Sequence, residues 1–223
     1  MNKIVRFVLL KRRRDLTHEQ FSAYWCSRHV EVLMASGLRD YNASYTQNHF
    51  AALPGYSTDA LRFDGAPQML QCDASVIQSG FQQDPRYLNF VRPDEDMFLE
   101  AGEGQTLFAD VVEVNPGHGT ATKLMIFASY AVGVTRERGK AILGEWNKSL
   151  LREGDVAASS CNQYFAIAGA TRGALPHFDV VLEFCVKEES AAISLFSNLN
   201  ETWPTVLEKG SCFPVLSRAR FFY

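Results

Sequence analysis

The tightest constraint on the fold is an order of elements that the chain spells twice. A strand-like run, KIVRFVLLK at 3–11, leads into a helix whose start is marked twice over. Thr17 and Gln20 form a capping box, and Leu16 and Phe21 stand where a hydrophobic staple would close it. Gly37 ends that helix. A second strand follows over about 39–50, and a third in ALRFDGAPQMLQCD after the turn-rich ALPGYSTD. ASVIQSGFQQ (74–83) reads as a short helix, PDEDMFLE as a turn or partly helical segment, and TLFADVVEV (106–114) as the last strand. NPGHGTAT (115–122), with its proline and glycines and no periodicity, reads as a linker. The series then restarts: strand KLMIFASYAV, helix TRERGKAILGEWNKSLLREG closed by Gly154, strands SCNQYFAIAG and HFDVVLEFCVK, helix EESAAISLFSNLN, and strand PVLSRARFFY. RFD at 62–64 and HFD at 177–179 open corresponding strands, so the duplication lies in element order more than in identity.

A βαββαβ unit folds as a ferredoxin-like sandwich with one bare sheet face, and a second copy is the natural cover. The predicted class is α+β: two tandem ferredoxin-like units, 1–114 and 123–223, joined by 115–122 into an intrachain α+β barrel, a pseudo-dimer with its two sheets face to face. A monomer is then physically allowed, and a homodimer of such chains stays open.

A formal net charge of −3 gives no electrostatic case for nucleic acid or an anionic membrane as partner. The apolar run at the start is broken by Arg6 and lacks a cleavage site, and no stretch approaches the ~20 apolar residues of a membrane span. The five cysteines are scattered, without CxxC spacing, and read as reduced thiols of a cytoplasmic protein. There is no GxGxxG, P-loop or GxSxG, and no His/Asp/Glu cluster at metal-ligand spacing. No cofactor and no metal are expected. KRRR at 11–14 reads as a solvated strand end or a clamp for a substrate carboxylate.

Within FSAYWCSRHVEVL (21–33), Phe21, Tyr24, Trp25, Val32 and Leu33 recur at helical spacing, and His29 lies one turn after Trp25 on the same face. Burial there favours a neutral imidazole able to take a proton at neutral pH, as a general base must. A structural histidine bonded to a backbone carbonyl is the competing reading. Tyr41 and Tyr45, four apart on the expected second strand, would share a side with His49, and their hydroxyls could donate to a developing oxyanion. Trp25 and Phe21 would wall a pocket, and Arg6 could reach it to bind a carboxylate or form a cross-strand ion pair. Asp64 suits a strand or turn role, and His18, His118 and His177 read as quiet.

DLTHEQFSAYWCSRHVEVLMASGLRDY, FDG before a strand, and VRPDEDMF before the last strand resemble the EthD family of dimeric α+β barrels. Polyketide cyclases of the tetracenomycin type and methylmuconolactone isomerases are similar proteins. The resemblance covers residues 2–114, and the second half shares only element order and Trp146. It implies that His29, Tyr41 and His49 contribute to the site, with Tyr45 competing for the place of Tyr41. The cysteine of such isomerases falls near Met69, a departure from their pattern. The position matching His29 in the second half falls within NKSLL, which implies one catalytic half and one scaffold half.

The expectation from sequence is therefore a cofactor-independent acid/base enzyme. It would be a lyase, decarboxylase, cyclase or isomerase acting on a hydrophobic aromatic or lactone-type small molecule through an enolate- or quinone-methide-like intermediate. Two alternatives stand beside it: a haem-binding or cofactor-free oxygenase of the α+β barrel superfamily, with His29 as an axial ligand in the haem case, and a non-catalytic barrel that binds an apolar ligand.

Overall fold

A computed structural model describes residues 3–55, 57–71, 81–115, 119–152, 158–173 and 177–223. The first half runs β1 (Ile4–Leu9), α1 (His18–Tyr24), a π-turn (Trp25–His29), α2 (Val30–Ala35), β2 (Asn42–Ala51) and β3 (Gly65–Gln71). It continues with a second π-turn (Tyr87–Val91), α3 (Arg92–Glu95) and β4 (Gln105–Asn115). The second half runs β5 (Thr122–Ala128), α4 (Arg136–Arg152), β6 (Ala158–Ala166), β7 (Arg172–Gly173), β8 (Val180–Val186), α5 (Glu189–Glu201) and β9 (Phe213–Phe221).

All pairings are antiparallel, and the strands close in the ring β1-β3-β2-β9-β5-β8-β6-β4 and back to β1. The strand order β4-β1-β3-β2 of the first half recurs as β9-β5-β8-β6 in the second. Two separate sheets laid face to face, as expected from sequence, are not what forms. The edges of the two halves pair directly, Asn48 opposite Ala219 on one seam and Val111 opposite Tyr164 on the other. Closure satisfies backbone groups that two open sheets would leave exposed at their edges. The two-residue β7, pairing with β4, was not expected.

Side chains alternate across the wall, as the two-residue period of a strand requires. At one end of the lumen Phe7, Phe50, Phe127 and Phe178 pack with Val181 and Val215, with ring centroids 5.7–6.2 Å apart for Phe7–Phe127, Phe50–Phe127 and Phe127–Phe178. Burying each such ring contributes roughly 1.5–3 kcal/mol. The outer face of the second half is sealed by α4 and α5 through Leu143, Leu195 and Leu199 against Leu124, Leu182 and Phe184.

The capping box forms as expected, with Thr17 Oγ1 accepting from the Gln20 amide and Gln20 Oε1 from the Thr17 amide. The helix it opens is interrupted by the π-turn, an irregularity that often marks functional positions. The expected second strand begins later, because Leu38–Tyr41 forms a 3-10 turn after Gly37, whose φ of 71° ends the helix. PDEDMFLE supplies α3, with Pro93 in its first turn. Of the expected helix 74–83, residues 74–80 lie outside the described residues, and Phe81–Gln83 is a 3-10 turn. His118 and Gly154 also lie outside them. No helix among the described residues is long and apolar enough to cross a membrane.

Gly65 opens β3 where the Trp25 ring lies against it: a Cβ there would stand 2.5 Å from Trp25 Cζ3 and 3.0 Å from the Asn48 carbonyl oxygen. Gly65→Ala is expected to destabilise the protein by about 1–3 kcal/mol, the usual range for overpacking. It should also shift the tryptophan fluorescence. A melting temperature equal to that of the parent would refute this packing role.

Candidate functional site

Helices α1 and α2 lie over the outer face of β1, β3 and β2, with Phe21 and Trp25 fully buried against Leu10 and Phe98. One turn on, His29 is buried with its ring 5.0 Å from Phe98. Its Nδ1 is 2.7 Å from Asp94 Oδ2, and the Tyr24 hydroxyl donates to Asp94 Oδ1 at 2.7 Å. Burial works to raise the Asp94 pKa, but the hydrogen bonds from His29 and Tyr24 outweigh it and hold the carboxyl below its ordinary value. Burial and the same bond push the Tyr24 phenol up to about 12.

An ionised carboxylate only accepts, so Nδ1 carries a hydrogen, and in the neutral ring the lone pair is on Nε2. Among the described residues Nε2 has no hydrogen-bond partner. His29 lines a cleft of about 50 Å³ together with Arg6, Tyr45, Trp25 and Glu95. A larger cavity of about 320 Å³ shares Arg6, Phe81 and Glu95 with that cleft.

Arg6 is only 5% exposed, and its Nε has no partner. Its Nη2 donates to Met69 Sδ at 3.1 Å, and the guanidinium lies 4.6 Å from the centre of the Phe81 ring. No carboxylate lies within ion-pair distance of it among the described residues. Desolvation lowers its pKa to about 10, which leaves it charged at neutral pH. Its main electrostatic counterweight is Glu95, which burial pushes above the ordinary carboxylate range against a 2.6 Å hydrogen bond from the Tyr87 hydroxyl. A buried cation so poorly matched among the described residues is suited to an anionic ligand oxygen.

The structure thus brings His29, Tyr45, Arg6 and Trp25 together. Tyr45 is buried, and its hydroxyl accepts from Gln47 Nε2 at 3.0 Å. Tyr41 does not join them. Four-residue parity fails because Tyr41 ends the 3-10 turn instead of lying on β2, and its hydroxyl donates to Asp84 at 2.9 Å. Phe21 is packed beneath Trp25 and lines neither cavity. His49 shares the face of Tyr45, as parity predicts, but the Trp25 ring covers it at 4.5 Å. Its Nδ1 is 2.7 Å from Ser22 Oγ, and its Nε2 is 3.1 Å from Gln47 Oε1.

KRRR is absorbed by internal ion pairs. Lys11 and Arg12 pair with the fully buried Asp64, Arg13 with Asp15, and Arg14 with Glu100. His18 also lies 3.4 Å from Asp64. Of this basic run, Lys11 also borders the cavity of about 320 Å³ beside Arg6.

The second half repeats the framework of this site without its chemistry. Gln47 Nε2 donates to the Trp25 carbonyl, and Gln163 Nε2 donates to the Leu143 carbonyl. Four residues beyond those carbonyls stand His29 and Asn147. Arg6 and Tyr45 both face Met69, whereas Leu124 and Cys161 both face Phe184. Leucine and phenylalanine fill the volume that holds a charge and a cleft in the first half.

Sequence reasoning missed Asp94, Glu95, Tyr87 and the part played by Tyr24. The one available signal was the acidic pair after Pro93. The partner of Asp94 lies 65 residues away.

No protein-family model matches the chain, and no curated protein matches it. Its fold is similar to that of several solved structures. A protein provisionally assigned as a monooxygenase from Lactobacillus acidophilus aligns over 99% of this chain and 96% of its own, at 7% identity and a TM-score of 0.54. One provisionally assigned as a chlorite dismutase aligns over the same shares at 11% identity and 0.56. A mutant chlorite dismutase from Candidatus Nitrospira defluvii covers 96% and 90%, at 13% identity and 0.53. At such identities the likeness carries the closed antiparallel barrel fold, and membership of the EthD family is not among its results. It corrects the functional expectation: the neighbours' names turn the reading from a lyase, decarboxylase, cyclase or isomerase to the oxygenase and haem alternatives.

Proposed function

We propose that the chain is a cofactor-independent oxygenase that uses dioxygen to oxidise an electron-rich aromatic compound carrying an ionisable oxygen, such as a phenol. The observation that carries this reading is His29. Asp94 fixes the hydrogen on its Nδ1, and its Nε2, without a partner among the described residues, opens beside the buried Arg6, whose Nε likewise has none among them. We read the chain as two ferredoxin-like units, 1–114 and 123–223, joined by 115–122, with the reaction confined to the first. The repeated strand order and the apolar filling of the second half support that division.

A haem ligated by His29 does not fit the residues around it. The cleft before His29 is about 50 Å³ and is walled by Trp25, Phe98 and Leu33, which leaves no room for a porphyrin plane over the imidazole. A smaller ring system can rest in the adjoining cavity of about 320 Å³ and meet the cleft at Arg6 and Phe81, which line both. His177, in the second half, sits in a loop with Nε2 3.2 Å from the Gly173 carbonyl. His177 borders a separate cavity of about 420 Å³ in the second half, away from the proposed site, and the cleft at His29 as folded does not fit haem.

In the proposed reaction Arg6 holds the phenolate oxygen, and Trp25 and Phe98 exclude water. His29 Nε2 removes a proton from an activated ring methylene. The resulting carbanion gives its electrons to dioxygen, a C–O bond forms, and the histidine returns the proton to the distal oxygen. Loss of the second methylene proton with cleavage of the O–O bond leaves a carbonyl and water, so CH2 and O2 become C=O and H2O. The test is oxygen uptake by the purified protein with a panel of anthrone-like and hydroquinone-like phenols. The expected result for the anthrone-like compounds is one dioxygen consumed per quinone-type product, at a rate unchanged by added haem. Absence of oxygen uptake with every compound, or uptake that requires haem, would overturn the reading.

A further inference from the structure

The lumen of the barrel is lined unevenly. One end is packed with phenylalanine, and the other carries a layer of polar and charged side chains around a cavity of about 320 Å³. The sheet wall separates this cavity from the His29 cleft, since Gln68 points inward while its neighbours Pro67 and Met69 line the cleft outside. This cavity shares no lining residue with the His29 cleft or the cavity beside it.

At the centre of the layer Lys123 Nζ donates to Glu183 Oε2 at 2.8 Å, both side chains at most 5% exposed. Lys123 also donates to Gln68 Oε1 at 3.1 Å. Glu183 Oε1 accepts from Asn162 Nδ2 and from the Tyr164 hydroxyl, each at 2.9 Å. Gln68 Nε2 donates to the Tyr164 oxygen at 2.8 Å. Burial alone would raise the Glu183 pKa, and the lysine outweighs it and keeps the carboxyl below its ordinary value.

Such a layer is costly to fold. Each buried ion loses several kcal/mol of hydration, and an apolar filling of the same volume is often as stable or more so. The opposite end of this lumen has that apolar filling. The polar end is also unfinished. Lys123 has three donors and uses two. Asn162 Oδ1 and the hydroxyls of Ser160 and Thr46, all on the cavity wall, have no partner among the described residues.

We infer that the polar end of the lumen is a binding site for a small neutral polyhydroxylated molecule of pentose or hexose size. The lysine and glutamate cancel, so the layer offers no net charge to match. An anion would meet Glu183 and, at the rim, Glu113, and a cation would meet Lys123. Hydroxyl groups both donate and accept, which suits the mixed set left open. Phe221, beside Lys123, offers an apolar ring to the C–H face of such a molecule.

The experiment is calorimetric titration of the full chain with xylose, glucose and ribitol, and with gluconate and glucosamine as charged counterparts. Saturable binding of at least one neutral compound is expected, with affinity lowered about tenfold or more, a loss of about 1.4 kcal/mol or more, by Thr46→Val and by Ser160→Ala. Both substitutions leave the Lys123–Glu183 network in place, and circular dichroism identifies the folded variant to be used if one fails to fold. The inference is overturned if none of the three neutral compounds binds, if gluconate or glucosamine binds as tightly as they do, or if binding survives both changes.

Discussion

Replacing His29 by glutamine is expected to lower oxygen uptake by roughly 10²–10⁴-fold, the usual contribution of a positioned general base. The amide fills much of the imidazole volume and keeps a polar contact to Asp94, so the melting temperature should change little. Asp94→Asn should approach the same loss for a different reason. An amide can donate to Nδ1, which stabilises the tautomer with hydrogen on Nε2, and the lone pair that faces the cleft disappears. Asp94→Glu, which restores a carboxylate, should recover part of the rate, whereas a purely structural role would give no such ordering. Tyr24→Phe removes one donor to Asp94 and should cost less than either. Near-parental turnover in His29→Gln would remove the histidine from the mechanism.

The parts of this molecule that were legible in the sequence are those set by neighbours along the chain. The capping box at Thr17 and Gln20, the stripe holding Phe21, Trp25 and His29, and the stop at Gly37 all depend on residues a few positions apart, and each formed. The order of elements was legible because each strand and helix carries its own periodicity. The closure of the ring was not, since it depends on edge strands such as β2 and β9 that lie far apart in sequence. The site divides the same way. His29 could be singled out from its helix, but Asp94, which fixes its tautomer, arrives from α3. Parity placed His49 on the right face of β2 and could not reveal that Trp25 lies between it and the cavity. Parity failed for Tyr41 because one 3-10 turn moves the start of the strand past it. The correspondence of His29 with Asn147 emerges only from Gln47 and Gln163, which anchor the two helices in the same way.

That buried His49 leads to the second large effect, on stability. Burial, with smaller contributions from Arg220 and His18, lowers its pKa from 6.5 to about 3. Gln47 Oε1 can only accept, so Nε2 carries the hydrogen, and the neutral ring is satisfied by Ser22 at Nδ1. Below pH 6.5 the unfolded chain takes up a proton at this histidine and the folded chain does not, until pH approaches 3. The unfolded state therefore binds more protons across that window, and stability falls as pH falls through it. By pH 5 this one group should have cost about 2 kcal/mol, on the order of 1.36 kcal/mol for each pH unit below 6.5. The second half suggests the control. Gln163 occupies the place of Gln47, and two residues on, Phe165 stands where the first half has His49. His49→Phe should lower stability at pH 7, because Gln47 and Ser22 lose their partner, yet flatten the dependence between pH 7 and pH 5. Guanidinium midpoints measured at both pH values for both proteins would show it, and a slope as steep in the variant as in the parent would place the acid sensitivity elsewhere.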